Sequence, residues 1–435
     1  MNGVTARYWI AALALTGFVS GATTRASEEE PTVYAVANLP SLGGTVSSGN
    51  SLNDLGWAAG TSNLPGDTTQ HATLWVGTVM ARGIDLGTLG GPNSGVIWPV
   101  HDEVGLISGI AETNEPDPLG ERWSCSAFFP ARTGKICRGV VWQGKAIRAL
   151  PTLGGNNGFA TGSNNRREVA GWTETSLRDP TCVPPQVLQF LPVVWGPGRD
   201  QIEPLPLLAG DTSGAATAIN DRGQVAGISG ICDRAVGRFS AAHAVLWDDG
   251  GVLDIGNLGG VAWNTPMAIN EWGDVAGFSN LSAADGGAFN AHAFLWTRRD
   301  GIRDLGALPG DAISQALGIN NWRQIVGISC TAGFASCRGF LWQDGVMTDL
   351  NELVAPGYGD HIFSAGDIND RGRITGQAFT PATGVFSAFL AVPQPGLGRD
   401  DRGTSDTGPR GPPVAMPEHL RLMLRTRLGL SPGDR

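Results

Sequence analysis

The chain has 435 residues, 64 of them Gly, and 30 Lys and Arg against 40 Asp and Glu give a formal charge of −10. Basic residues this few and scattered do not make the basic face that nucleic acid binding needs. Apolar runs are short and broken by Gly, Asn and Asp, which excludes a helical bundle and reads as strands and turns.

In chain order, residues 1–26 read as an export signal. Arg7 supplies the positive start, Trp9–Val19 a short apolar stretch, and small residues lead to Ala22 or Ala26. That run is too short for a permanent membrane span, and no other stretch approaches transmembrane length.

Residues 32–393 are a repeat region. A "Val-Ala-Gly" glycine recurs at Gly60, Gly109, Gly171, Gly227, Gly277, Gly327 and Gly376, in steps of 49, 62, 56, 50, 50 and 49 residues. A Trp follows at Trp75, Trp142, Trp195, Trp247, Trp296 and Trp342, with Ala391 in the seventh copy. Leu-Gly-Gly or a relative closes each unit, as at Leu258–Gly260. A period near 50 residues is the signature of a propeller or solenoid.

Four strands are predicted per repeat. Strand A resembles Ser314–Asn320, and a tight turn such as Asn220-Asp221-Arg222-Gly223 joins it to strand B, Gln224–Ser229. Asn, Asp and Gly supply the turn geometry. The mid-strand Gly implies crowding by a neighbouring backbone. Strand C is His243–Trp247 and its equivalents, whose Trp fills the gap between blades. Strand D is Val252–Leu258 and its equivalents. The first copy opens with a lone strand D, Tyr34–Leu39, and the last stops at strand C, Ala388–Leu390. The expected fold is therefore all-β: a seven-bladed propeller of four-stranded blades, closed by the N-terminal strand pairing with the last blade. An open solenoid is the rival, but its usual polar caps are missing.

The string His292-Ala293-Phe294-Leu295-Trp296, with Asp304-Leu305-Gly306 and Ile319-Asn320, resembles the bacterial HAF-type extracellular repeat over roughly residues 33–393. His-Ala recurs at His71 and His243, while Arg138, Pro192, Arg338 and Ser387 replace the His elsewhere, so it is not a repeated ligand. The resemblance implies export and a propeller-like array, and no established chemistry. The strand order is also similar to WD40 repeats, which implies that strand A lines the channel.

Gln394–Pro413 reads as a disordered linker rich in Pro, Gly, Asp and Arg. Pro417–Leu430 reads as a short helix, marginal alone, serving as a docking segment or simply a frayed tail. All six Cys fall between strands B and C. With an export signal, disulfides are expected. Fifteen pairings are open, and topology favours Cys125–Cys137, Cys182–Cys232 and Cys330–Cys337. Metal-ligand spacing is absent, as are nucleophile-elbow, zinc-protease, phosphate-loop and EF-hand motifs. No catalytic residue, cofactor or metal is assigned.

The A–B turns are uniform and the B–C loops vary. B–C and D–A connections leave a blade on the same face, and binding favours varied loops on a rigid scaffold. Candidate contacts on that face are Trp123, Phe128 and Phe129, with Asn93, Asn156, Asn157, Asp211, Trp263, Asn264, Asp311, Asp360 and His361 after the Gly-Gly corners. Trp beside Asn and Asp suits sugar stacking, although Trp123 and Trp263 equally suit packing. The expected role is an exported, monomeric, non-catalytic binder of an extracellular polymer or surface protein. The alternative is an exported polysaccharide hydrolase or lyase, which needs two convergent carboxylates about 5–10 Å apart.

Overall fold

The computed structural model describes residues 32–394, apart from 78–80, 101–104, 122–126, 145, 199, 234–236 and 283–287, together with 414–416, 418, 421 and 425. The expected export signal, Trp123, Cys125 and most of the C-terminal tail lie outside these residues.

Seven antiparallel four-stranded sheets form a ring of blades. Blade 4 is typical, with strand A at Ser213–Ile219, B at Val225–Gly230, C at His243–Asp248 and D at Gly251–Asp254. Strand D is shorter than the sequence suggested. Asp254 Oδ1 accepts the backbone N–H of Gly256 (2.8 Å), and Gly256 has φ +85°, so the chain turns before Leu258.

The ring closes by way of the N-terminus. Val33–Asn38 pairs antiparallel with Val385–Gln394, in register from Val33 opposite Gln394 to Asn38 opposite Phe389. The seventh blade thus takes its outer strand from the other end of the chain, and no open edge remains between first and last repeats.

A bulge in strand A explains the repeated Gly. In blade 4, Ala216 pairs with Gly227 and Ala218 with Ala226, leaving Thr217 as the extra residue. The same one-residue shift occurs opposite Gly60, Gly171, Gly277, Gly327 and Gly376. A Cβ on any of the seven glycines would overlap a backbone carbonyl of its own strand A, such as that of Ala215 or Thr265. The crowding backbone is a bulge in the same blade, which re-aims strand A where the ring is tightest.

The strand C Trp residues lie in the seams. Trp75, Trp195 and Trp247 are buried, and each indole N–H donates to a carbonyl just past strand D of the preceding blade: Pro40 (2.8 Å), Pro151 (2.8 Å) and Pro206 (2.7 Å). Trp75 packs with Leu39, Ala388 and Leu390, so this contact also spans the closure. Trp98 lies past strand A of blade 2, where it packs with Ile110 and Phe128 of its own blade and meets Phe159 and Trp172 of blade 3 edge-on.

A strictly local test follows. Gly277→Ala should destabilise by about 1–3 kcal/mol through overpacking against the Thr265 carbonyl. Gly251→Ala, whose Cβ has only the Asp248 carbonyl at 3.6 Å, should be near neutral. Urea midpoints of the two variants against the parent would check this.

Candidate functional site

The residues after the Gly-Gly corners hold the seams. Asn93, Asn157 and Asn264 are buried, with at most 2 % exposed. Each joins strand B of its own blade to the start of strand C of the preceding one. Asn93 Oδ1 accepts from Gln70 N (2.9 Å), while its Nδ2 donates to Glu112 (2.8 Å). Asn157 Oδ1 accepts from Cys137 N (3.0 Å), while its Nδ2 donates to Glu174 (3.2 Å) and Asp117 (2.8 Å). Asn264 Oδ1 accepts from Ser279 Oγ (2.7 Å), and its Nδ2 donates to the Ala242 carbonyl (2.8 Å).

The remaining polar candidates are partly exposed and engaged in similar contacts. Asn156 N donates to Glu174 (3.1 Å). Asp211 and Asp311 accept from Ser229 and Ser329 hydroxyls (2.6 and 2.8 Å). Asp360 accepts from Asn38 of the closing strand (2.6 Å), and His361 Nε2 meets the Cys337 carbonyl (2.9 Å). The aromatic candidates are internal. Trp263, Phe128 and Phe129 are 1, 2 and 5 % exposed. Trp263 meets Phe289 edge-on, and Phe128 meets Trp98 and Phe159. The packing alternative therefore describes Trp263. Trp123 and its loop are outside the described residues.

The Cys182–Cys232 and Cys330–Cys337 disulfides are present, the first linking the loops of blades 3 and 4. Cys137 is also disulfide-bonded, but its expected partner Cys125 falls outside the described residues. Asp179, Cys182 and Cys232 sit at metal-ligand spacing, yet both sulfurs are spent on each other and offer no thiolate.

The HAF-type histidine has a structural partner. His71, His243 and His292 place Nδ1 2.9–3.0 Å from Asp85, Asp254 and Asp304 on strand D. Arg338 makes the same pairing with Asp349 (3.1 Å), and where Pro192 replaces the His, strand D ends at Pro204 without an Asp. In blade 2 Arg138 has Ala149 at the strand D position, so this cross-strand ion pair is missing there.

Among the carboxylates whose acidity is altered, two raised ones act on each other. Burial, and then the charge of Glu121, push the Glu174 carboxyl up to about 7. Burial also raises Glu121, whose Oε1 accepts from Val187 N (2.7 Å) and Leu188 N (2.6 Å). A raised pair of acids is one mark of a hydrolase. Here both residues are under 5 % exposed and lie in the seam of blades 2 and 3, where backbone and amide N–H groups bind them. Arg138 and Arg178 supply nearby positive charge. The arrangement braces a seam between blades 2 and 3.

Sequence reading passed over the exposed aromatics. Trp272 and Trp322 are 62 % and 73 % exposed at the same position of consecutive A–B turns, on the face opposite the varied loops. The signal was present as the third residue of each Asn-led turn.

The buried Glu174 predicts a pH dependence. Its folded value lies above the ordinary carboxylate range, so the folded state holds more protons than the unfolded state between about pH 4.5 and 7. Stability on this account is greatest below that window and falls as pH rises through it, by about 3 kcal/mol. Glu174→Gln should stabilise the protein at pH 8, and that gain should shrink towards pH 5 in paired thermal melts.

Compared with protein-family models and with curated proteins, the chain matches none.

Proposed function

We propose that the chain is an exported, non-catalytic β-propeller of HAF-type repeats that binds a surface protein through its B–C and D–A loop face. An extracellular polymer is the other class of partner for this face. The observation that carries the reading is an aliphatic pair braced between two blades. Val183 and Ile231, 39 % and 36 % exposed, stand next to the Cys182–Cys232 disulfide. Val183 N donates to the Asp233 carbonyl (2.9 Å), and Cys232 N donates to Thr181 Oγ1 (3.0 Å). Loops tied in this way lose little freedom on association, which favours binding. Leu177, 62 % exposed at the end of strand B in blade 3, adds apolar surface to the same face. Exposed aliphatic side chains suit a protein partner better than a sugar.

The B strands beneath this face are longest in blades 2 and 3. Strand B spans Leu106–Pro116 in blade 2 and Val169–Arg178 in blade 3, 11 and 10 residues, against 6 in blade 4. Export fits the disulfides, which persist in oxidising compartments.

Two measurements test this reading. Purified propeller should bind cell envelopes of the source organism, protease treatment of the envelopes should abolish binding, and Val183→Asp with Ile231→Asp should weaken it on the order of tenfold. Equal binding by the double variant would remove the loop face from the proposal. Terminal sequencing of the exported protein should begin just after Ala22 or Ala26; a retained residue 1 would refute the signal.

A further inference from the structure

The face opposite the varied loops carries a different surface. The A–B turns of six blades start with Asn, and the third residue of each is exposed. That position holds Leu55, Arg166, Arg222, Trp272, Trp322 and Arg371 in six blades. The two Trp residues belong to blades 5 and 6, next to each other in the ring. Their indole N–H groups are already used. Trp272 Nε1 donates to the Asn321 carbonyl (3.0 Å), and Trp322 Nε1 donates to the Asp370 carbonyl (2.9 Å). Each ring is thereby tied to the turn of the next blade. What it still offers to solvent is a fixed apolar face.

A cleft of about 390 Å³ opens beside Trp322, between blades 6 and 7. Its walls are Trp322, Gln324, Gln343, Asp370, Arg371 and Pro393. The amides are ordered, since Gln324 Nε2 donates to Gln343 Oε1 (2.8 Å) and Gln343 Nε2 to Asp344 (3.1 Å). Asp370 is fixed by Asn321, whose backbone N (2.8 Å) and Nδ2 (2.6 Å) donate to its carboxylate. The volume is within the range of small-ligand sites, roughly 300–1,000 Å³.

We propose that this cleft binds a neutral polysaccharide, one pyranose ring stacking on Trp322 with its hydroxyls towards Gln324, Gln343 and Arg371. Trp272, one blade along, meets the continuing chain. A pyranose has an apolar C–H face and a rim of hydroxyls, which matches a flat immobilised indole bordered by amides. A protein partner would require more aliphatic area than Pro393 supplies. A nucleic acid or anionic polymer would meet Asp370 at the cleft and a chain of net charge −10. Arg222 lies 5.6 Å over the Trp272 ring and occupies one face of it, so Trp322 is the principal platform.

This site is independent of the loop face, and the test separates the two. Purified protein would be depleted from solution with insoluble chitin, cellulose and starch, followed by tryptophan fluorescence titration with the matching oligosaccharides. The expected result is retention on at least one polysaccharide. Trp322→Ala should weaken it at least tenfold, Trp322→Phe should restore part of it, and Trp272→Ala should weaken it less. Val183→Asp should leave it unchanged. Gln343→Ala, a change on an exposed strand end, should also weaken retention and guards against misfolding of the Trp variants. Failure to bind all three polysaccharides would overturn the proposal, as would equal retention by Trp322→Ala. Loss of retention in Val183→Asp alone would move the polysaccharide to the loop face.

Discussion

The ring depends on a partial circle of buried asparagine side chains that links the six described A–B turns. Asn164 Nδ2 donates to the Asn220 carbonyl (3.0 Å), Asn220 to Asn270 (3.0 Å), Asn270 to Asn320 (3.2 Å), Asn320 to Asn369 (3.0 Å), and Asn369 across the closure to Asn53 (2.9 Å). Each Oδ1 accepts two N–H groups of its own turn, as Asn220 does from Arg222 (3.1 Å) and Gln224 (3.0 Å). One amide thus shapes its turn and fastens the next blade. A second circle runs alongside, in which Asp221 N donates to Glu271 (3.0 Å), Glu271 N to Asn321 (2.8 Å) and Asp370 N to Asp54 (2.9 Å). Buried amides left without partners are costly, so neither circle tolerates much variation.

That constraint explains the two faces. The turn face is uniform because the six described turns are bonded one to the next. On the opposite face the corner Asn or His reaches the adjacent strand C, whereas the corner Asp residues Asp211 and Asp311 bond serines of their own strand B. Loops between strands B and C are then free to lengthen, and disulfides brace them. The C-terminal segment also returns to this side, where Ala415 bridges Ser336 and Met416 N donates to the Ala335 carbonyl (2.8 Å). The variable face is therefore partly covered by the chain itself.

The candidate contacts show where pattern reading stops. Asn93, Asn157 and Asn264 have the composition of a sugar site, and their position after a glycine corner is right for one. Whether such an amide points outward or into a seam depends on the strand beside it, which comes from another repeat about 20 residues away. Trp263 and Trp322 are both polar-flanked Trp residues in connections. One has 1 % of its surface exposed and the other 73 %. The difference is that Trp263 has Phe289 and the Arg238 guanidinium to cover it, whereas Trp322 caps a turn that already fills its own interior.

From sequence alone came the number of blades, their four strands, the closure by Tyr34–Leu39 and the Cys182–Cys232 and Cys330–Cys337 pairings. These follow from local periodicity and from counting copies, which one-dimensional order preserves. The direction of each polar side chain, the elevated acidity of Glu174 and the placement of exposed Trp on the uniform face emerged only from the assembled ring. They are set by contacts between blades, where burial and donor supply depend on residues far apart in the chain, and no repeat carries that information by itself.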